Sequence, residues 1–128
     1  MAEVDASAFV LDFVPNASID QMKERMAKFY QIIRNKHPRT PIIFIEDPIF
    51  TDTYYNEENA RNLNNKNQIL RLIFNKLKAE KEKNIILISS KKMLGTDREA
   101  TVDGIHFTDL GMMRYADLIC PILKKLIK

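Results

Sequence analysis

The chain has 128 residues, 45% of them hydrophobic and 29% charged, enough to bury one core and too few for two ordinary domains. Twenty Lys plus Arg against seventeen Asp plus Glu leave a net charge of +3, interleaved along the chain, which argues against nucleic acid or an anionic membrane as a partner. One cysteine, Cys120, excludes an internal disulfide framework and a multi-thiolate zinc site, and no apolar run approaches the ~20 residues that span a bilayer. The opening MAEVDASAFVLDF has acids where a signal peptide has a basic n-region, and the compartment stays open.

Three short apolar runs rich in β-branched and aromatic residues read as buried strands: Ala8 to Val14, Pro41 to Ile45 and Asn84 to Ile88. Near-continuous apolarity is the habit of parallel strands covered on both faces. After the first run, Ser18 and Gln21 have capping-box spacing, and Ile19, Met22, Met26, Phe29, Ile32 and Ile33 predict an amphipathic helix that ends before Pro38. After the second run, the polar loop DPIFTDTYYNEEN leads into a longer helix marked by Leu63, Ile69, Leu70, Ile73, Phe74 and Leu77. A loop follows the third strand, and a last helix starts near Thr108 with Leu110, Met113, Ile119, Ile122, Leu123 and Leu126 on one broad face. Pro121 is expected to bend or shorten it, Cys120 to lie on its buried side, and Lys124, Lys125 and Lys128 to oppose its dipole.

The order β-α-β-α-β-loop-α with right-handed crossovers predicts an α/β three-layer sandwich, a parallel sheet of about three strands with flanking helices. In such sheets function gathers at the carboxyl ends of the strands, which directs attention to Asn16, to Glu46 and Asp47, and to the loop holding Asp103 and His106.

Asp103 precedes His106 by three positions, across Gly104, in a loop running straight into a helix. A turn at Gly104 brings the carboxylate to one ring nitrogen, fixes the tautomer and leaves the other nitrogen as a general base, two thirds of an acyl-transfer triad. Two other readings stand beside it. Asp103 can cap a turn while His106 packs at the helix start, with Thr108 or Asp109 as cap, or Asp103, His106 and Asp109, with Asp97 or Glu99, can hold a divalent ion. The other histidine, His37, follows the first helix at the amino ends of the strands and reads as a surface residue. Glu46 closes the second strand where it can bond a substrate hydroxyl, and Asp47 before Pro48 is equally a turn former. Tyr54 and Tyr55 can wall a sugar ring or acyl chain, or pack back on the domain, and Arg114 is expected to pair with an acid.

The block DGIHFTDLGMMRYAD resembles the last sequence block of the SGNH (GDSL-like) hydrolases, and FVLDFVPN resembles their asparagine block, with PN in place of GxND. With PIIFIED and NIILI between them, the resemblance spans nearly all of the chain and implies a truncated SGNH/flavodoxin-like fold. It implies Asp103 as the orienting acid, His106 as the general base and Asn16 as an oxyanion-hole donor, for a carboxylic ester hydrolase of the lipase, acylhydrolase or carbohydrate acetylesterase type that needs no metal or organic cofactor. The substrate implied is a small-molecule or carbohydrate ester.

The family's nucleophilic serine block and a glycine oxyanion donor belong to its first two strands, and this sequence begins just before the third. Ser7, Ser18, Ser89 and Ser90 lack GDS or G-x-S-x-G surroundings, so the expectation is a portion of the enzyme, inactive alone. The alternative is a non-catalytic α/β module that binds a ligand or partner. Either way the first strand is left with an open edge, protected only by Asp12, and self-association or a missing upstream segment is expected there.

Overall fold

The computed structural model describes residues 1–127 and contains three parallel strands, β1 (Phe9–Leu11), β2 (Ile42–Ile45) and β3 (Ile85–Ile88), in spatial order β1-β2-β3. They alternate with α1 (Ile19–Lys36) and α2 (Glu57–Ala79), and α3 (Asp109–Leu126) follows β3. The register pairs Phe9 with Ile42 and Ile42 with Ile85, so the three runs sit side by side with their carboxyl ends together.

All four residues of β2 are buried, because alternate side chains enter two separate cores. Ile42 and Phe44 pack with Met22, Met26, Tyr30 and Leu70 under α1 and α2, while Ile43 and Ile45 pack with Met93, Leu94 and Ile119 under α3. This is the three-layer sandwich that continuous apolarity anticipates.

The helix starts follow their sequence signals. Ser18 Oγ accepts the Gln21 N–H at 3.2 Å while Gln21 Oε1 accepts the Ser18 N–H at 2.9 Å, a complete capping box. Asn56 caps α2 by accepting the Glu58 and Asn59 N–H groups. Thr108 Oγ1 caps α3 by accepting the Gly111 N–H at 3.1 Å and itself donates to Glu99 O at 2.9 Å. Gly111 is required where α3 crosses the loop: a Cβ there falls 2.2 Å from the Ala100 carbonyl oxygen.

Several expectations are corrected. The first strand is shorter than Ala8 to Val14; after Leu11 the chain leaves the sheet and Val14–Asn16 forms a 3₁₀ turn around Pro15, whose missing N–H suits a turn better than a ladder. Leu110 and Met113 are 39% and 64% exposed, and Cys120 is exposed too, because α3 docks through Ile119, Leu118, Ile122, Leu123 and Leu126. The helix does not stop at Pro121, which lies on its exposed side. His37 is half-buried, its ring 4.8 Å from Phe9 and its Nε2 2.7 Å from Ala2 O. Arg114 does pair with an acid, Asp97, at 2.7 Å. Lys124 and Lys125 occupy the last turn of α3, and Lys128 lies outside the described residues.

Candidate active site

The loop after β3 closes into a small hairpin. Val102 N–H donates to His106 O at 2.8 Å, Thr108 N–H donates to Ala100 O at 3.0 Å, and Thr101 bridges Phe107. Its tip is Asp103-Gly104-Ile105-His106. Gly104 has φ +94°, which favours glycine, and a Cβ there comes within 3.1 Å of Asp52 Cβ. The hairpin is tied to the loop after β2 by Asp52 N–H donating to Gly104 O at 3.0 Å and by a 2.7 Å hydrogen bond between the Thr51 and Thr101 hydroxyls.

Within that tip Asp103 Oδ2 lies 2.6 Å from His106 Nδ1, and Asp103 Oδ1 accepts the backbone N–H groups of His106 at 2.8 Å and Ile105 at 3.0 Å. The His106 ring contact, then those two backbone N–H groups, hold the Asp103 carboxyl well below the usual carboxylate range. An ionised carboxylate there favours the tautomer with hydrogen on Nδ1, so Nε2 presents a lone pair. That nitrogen has no hydrogen-bond partner among the described residues, and the imidazole is 78% exposed.

A cleft of about 300 Å³ joins this pair to the end of β1: it is lined by Asp12, Asn16, Phe50, His106, Met112 and Tyr115, among others. Asn16 projects from the 3₁₀ turn, exposed, with its side-chain amide free of protein partners among the described residues. Tyr115 from α3 donates its hydroxyl to Asp12 Oδ2 at 2.6 Å, fastening α3 to the chain leaving β1. Burial, then the neighbouring Asp12, pushes the Tyr115 phenol far up, so it stays a donor. Sequence spacing does not group Tyr115, Asp12 and Phe50, which α3, the chain after β1 and the loop after β2 bring to one cleft.

Glu46 is not a surface contact for substrate: it is 1% exposed, receives the Arg71 guanidinium (Nη2 at 2.9 Å) and accepts the Ser90 N–H and hydroxyl at 2.8 and 2.9 Å. Burial alone would raise its carboxyl, but the bonds from Arg71 and Ser90 outweigh it and hold it below the usual range. Tyr54 and Tyr55 are 46% and 73% exposed and carry the Arg98 guanidinium on their rings at 4.8 and 5.3 Å, with Arg98 also donating to the Tyr55 hydroxyl. They stand outside the lining of the His106 cleft. Of the serines, Ser18 caps α1, and Ser89 and Ser90 bond Glu46; with Ser7 they too fall outside that lining. No three His, Cys, Asp or Glu side chains converge as a metal site among the described residues.

The family model described as the GDSL-like lipase/acylhydrolase family matches residues 1–124. The chain belongs to this family. Among solved structures it resembles a candidate GDSL-like lipase from Bacteroides ovatus ATCC 8483, with a TM-score of 0.91 and 36% identity over 98% of this chain. It also shares the fold of SsfX3, a salicylyl-acyltransferase from a tetracycline biosynthetic pathway, with a TM-score of 0.74 at 16% identity over 99% of this chain. The chain spans 37% of the length of the first and 41% of the second. A comparison with curated proteins found no match. No helix among the described residues is long and apolar enough to cross a membrane.

Proposed function

We propose that this GDSL-family chain is the portion of a serine ester hydrolase that supplies the general base and an oxyanion donor, with Asp103 orienting His106 and Asn16 completing the set. The observation that carries this reading is the single cleft shared by Asn16 and the His106 of the Asp103–His106 pair. A serine hydroxyl held there gives its proton to His106 Nε2 as its oxygen bonds to the ester carbonyl carbon. The carbonyl oxygen gains the negative charge and takes a hydrogen bond from Asn16 Nδ2. His106 then protonates the departing alcohol, and a water molecule repeats the sequence to free the acid and restore the serine. None of these steps calls on a metal or organic cofactor. The substrate is a small-molecule or carbohydrate ester.

The serine comes from polypeptide outside these residues, in keeping with the 37% of the Bacteroides ovatus protein that the chain spans. That polypeptide, or a second copy, pairs along the free edge of β1, beside an apolar groove of about 410 Å³ lined by Val10, Leu11, Phe13, Met22, Met26 and Phe29. A second reading, a non-catalytic module that binds an ester-like ligand or partner, is favoured by one observation: Ser18, Ser89 and Ser90 are all engaged in structural hydrogen bonds.

Hydrolysis of p-nitrophenyl acetate separates the two. The 128-residue chain alone is expected to give no turnover, and the complete enzyme, the polypeptide or complex joining this chain to its serine, gives turnover abolished by His106→Ala. Turnover by the isolated chain that Ser90→Ala removes would overturn the external serine. A complete polypeptide indifferent to His106→Ala would favour the non-catalytic reading.

A further inference from the structure

Lys66, on the inner side of α2, is 8% exposed, unusual for a lysine. Its ammonium is kept in so dry a place by three oxygens. It donates to the carbonyls of Val14 at 3.2 Å and Pro15 at 3.1 Å, and Asp47 Oδ2 stands 3.8 Å away. Both carbonyls belong to the 3₁₀ turn Val14–Asn16, directly before the side chain assigned above to the oxyanion.

That turn has little of its own to hold it. Its internal bonds are Asn16 N–H to Phe13 O at 3.0 Å and Ala17 N–H to Val14 O at 3.3 Å, and a single short 3₁₀ turn is not independently stable. Asn16 itself is exposed and makes no side-chain bond to the described residues, so the backbone of the turn sets the position from which its amide can reach. The post opposite Lys66 is firm: the Asp47 N–H and C=O are both bonded by the Asn67 side chain, at 2.7 and 3.0 Å, and Asn67 is 1% exposed. Asn67 adjoins Lys66 on α2. One helix therefore grips the exits of β1 and β2 with consecutive side chains.

We propose that Lys66, braced by Asp47, is a positioning residue that holds the Val14–Asn16 turn so that the Asn16 amide faces the reacting carbonyl. The proposal rests on the reading of Asn16 as an oxyanion donor only for its catalytic consequence. The ammonium also orients the peptide planes of Val14 and Pro15, and a displacement of the donor by an ångström is enough to weaken the hydrogen bond at the transition state. Lys66, Asp47 and Asn16 line one cavity of about 220 Å³ that shares Pro15, Asn16, Phe50 and Ile105 with the His106 cleft.

The first arm of the test is backbone amide exchange in the 128-residue chain, with Ile43 of β2 as internal reference. Lys66→Met keeps the aliphatic stem and removes the charge; exchange at Asn16 and Ala17 is expected to quicken about tenfold or more while Ile43 is unchanged, and Lys66→Arg is expected to restore most of the protection. Unchanged exchange at Asn16 and Ala17 overturns the proposal. If Lys66→Met does not fold, Lys66→Gln, neutral yet able to donate one bond, is judged by the same criterion.

The second arm is p-nitrophenyl acetate hydrolysis by the complete enzyme. Lys66→Met is expected to lower kcat about tenfold to a hundredfold with KM within about twofold, and to cause no further loss in an Asn16→Ala background. Fully additive losses show that Lys66 acts elsewhere and overturn the proposal. If Asn16→Ala alone leaves kcat intact, the oxyanion reading fails, and the exchange arm still decides whether Lys66 holds the turn.

Discussion

Glu46 and Asp47 are consecutive and both more than nine-tenths buried at the end of β2, yet Glu46 is bonded by Arg71 and Ser90 while Asp47 Oδ1 has no partner among the described residues. Their carboxyls shift in opposite directions. Burial pushes Asp47 up to about 6, against the pull of Lys66, while Glu46 is held down. The folded state thus binds the Asp47 proton more tightly than the unfolded state, and stability contributed by that proton is present below the unfolded value of 3.8 and lost as pH rises through about 6. At roughly 1.36 kcal/mol per pKa unit the loss is about 3 kcal/mol. Asp47→Asn is expected to flatten this part of the stability profile, read as urea midpoints between about pH 4 and pH 7.

Glu46 has the opposite sign. Its depressed carboxyl contributes stability above the ordinary carboxylate range that is lost as pH falls through the folded value. Glu46→Gln leaves Arg71 and both Ser90 donors with a weaker partner and is expected to cost about 2–4 kcal/mol at pH 7 by urea unfolding. An unchanged midpoint would mean the network contributes nothing net.

Asp103→Asn keeps the shape of the turn and removes the charge that selects the His106 tautomer. In the complete enzyme kcat is expected to fall about 10²- to 10⁴-fold with little change in KM. Because Asp103 stays ionised well below the usual range, the acid limb of the wild-type pH profile should not arise from it. A limb that vanishes in Asp103→Asn would contradict that.

The two glycines of the α3 approach should differ in cost. Gly104→Ala forces a side chain onto φ +94° and against Asp52, expected to lose about 1–2 kcal/mol and to loosen the Asp103–His106 turn. Gly111→Ala places a Cβ 2.2 Å from the Ala100 oxygen and must push α3 away from the loop, so a loss of about 3 kcal/mol or more is expected. Thermal unfolding of the two variants side by side tests the order.

If the free edge of β1 pairs with a second copy, association of the 128-residue chain depends on its concentration. Sedimentation velocity is expected to show dimers or larger species at tens of micromolar or above, and Phe13→Lys, which places a charge in the adjoining apolar groove, to shift the distribution toward monomer. A monodisperse monomer at all concentrations would exclude pairing between copies.

Features governed by local spacing were legible in the sequence. Three β-branched runs become three parallel strands, Ser18 and Gln21 form their capping box, and Asp103 meets His106 because three residues and a glycine are all that separate them. Tertiary structure alone decided the rest. Which face of α3 docks, and hence that Leu110, Met113 and Cys120 are exposed, follows from the packing of Leu118, Ile119, Ile122 and Leu123 on the sheet, with Gly111 lying close against the Ala100 carbonyl. The burial of Glu46, the reach of Lys66 to the Val14 and Pro15 carbonyls and the Tyr115 bond to Asp12 join residues far apart in the chain. The physical reason is that a helix or turn dictates its neighbours within four residues, whereas a contact between layers exists only after both cores have packed and fixed how the layers lie on one another.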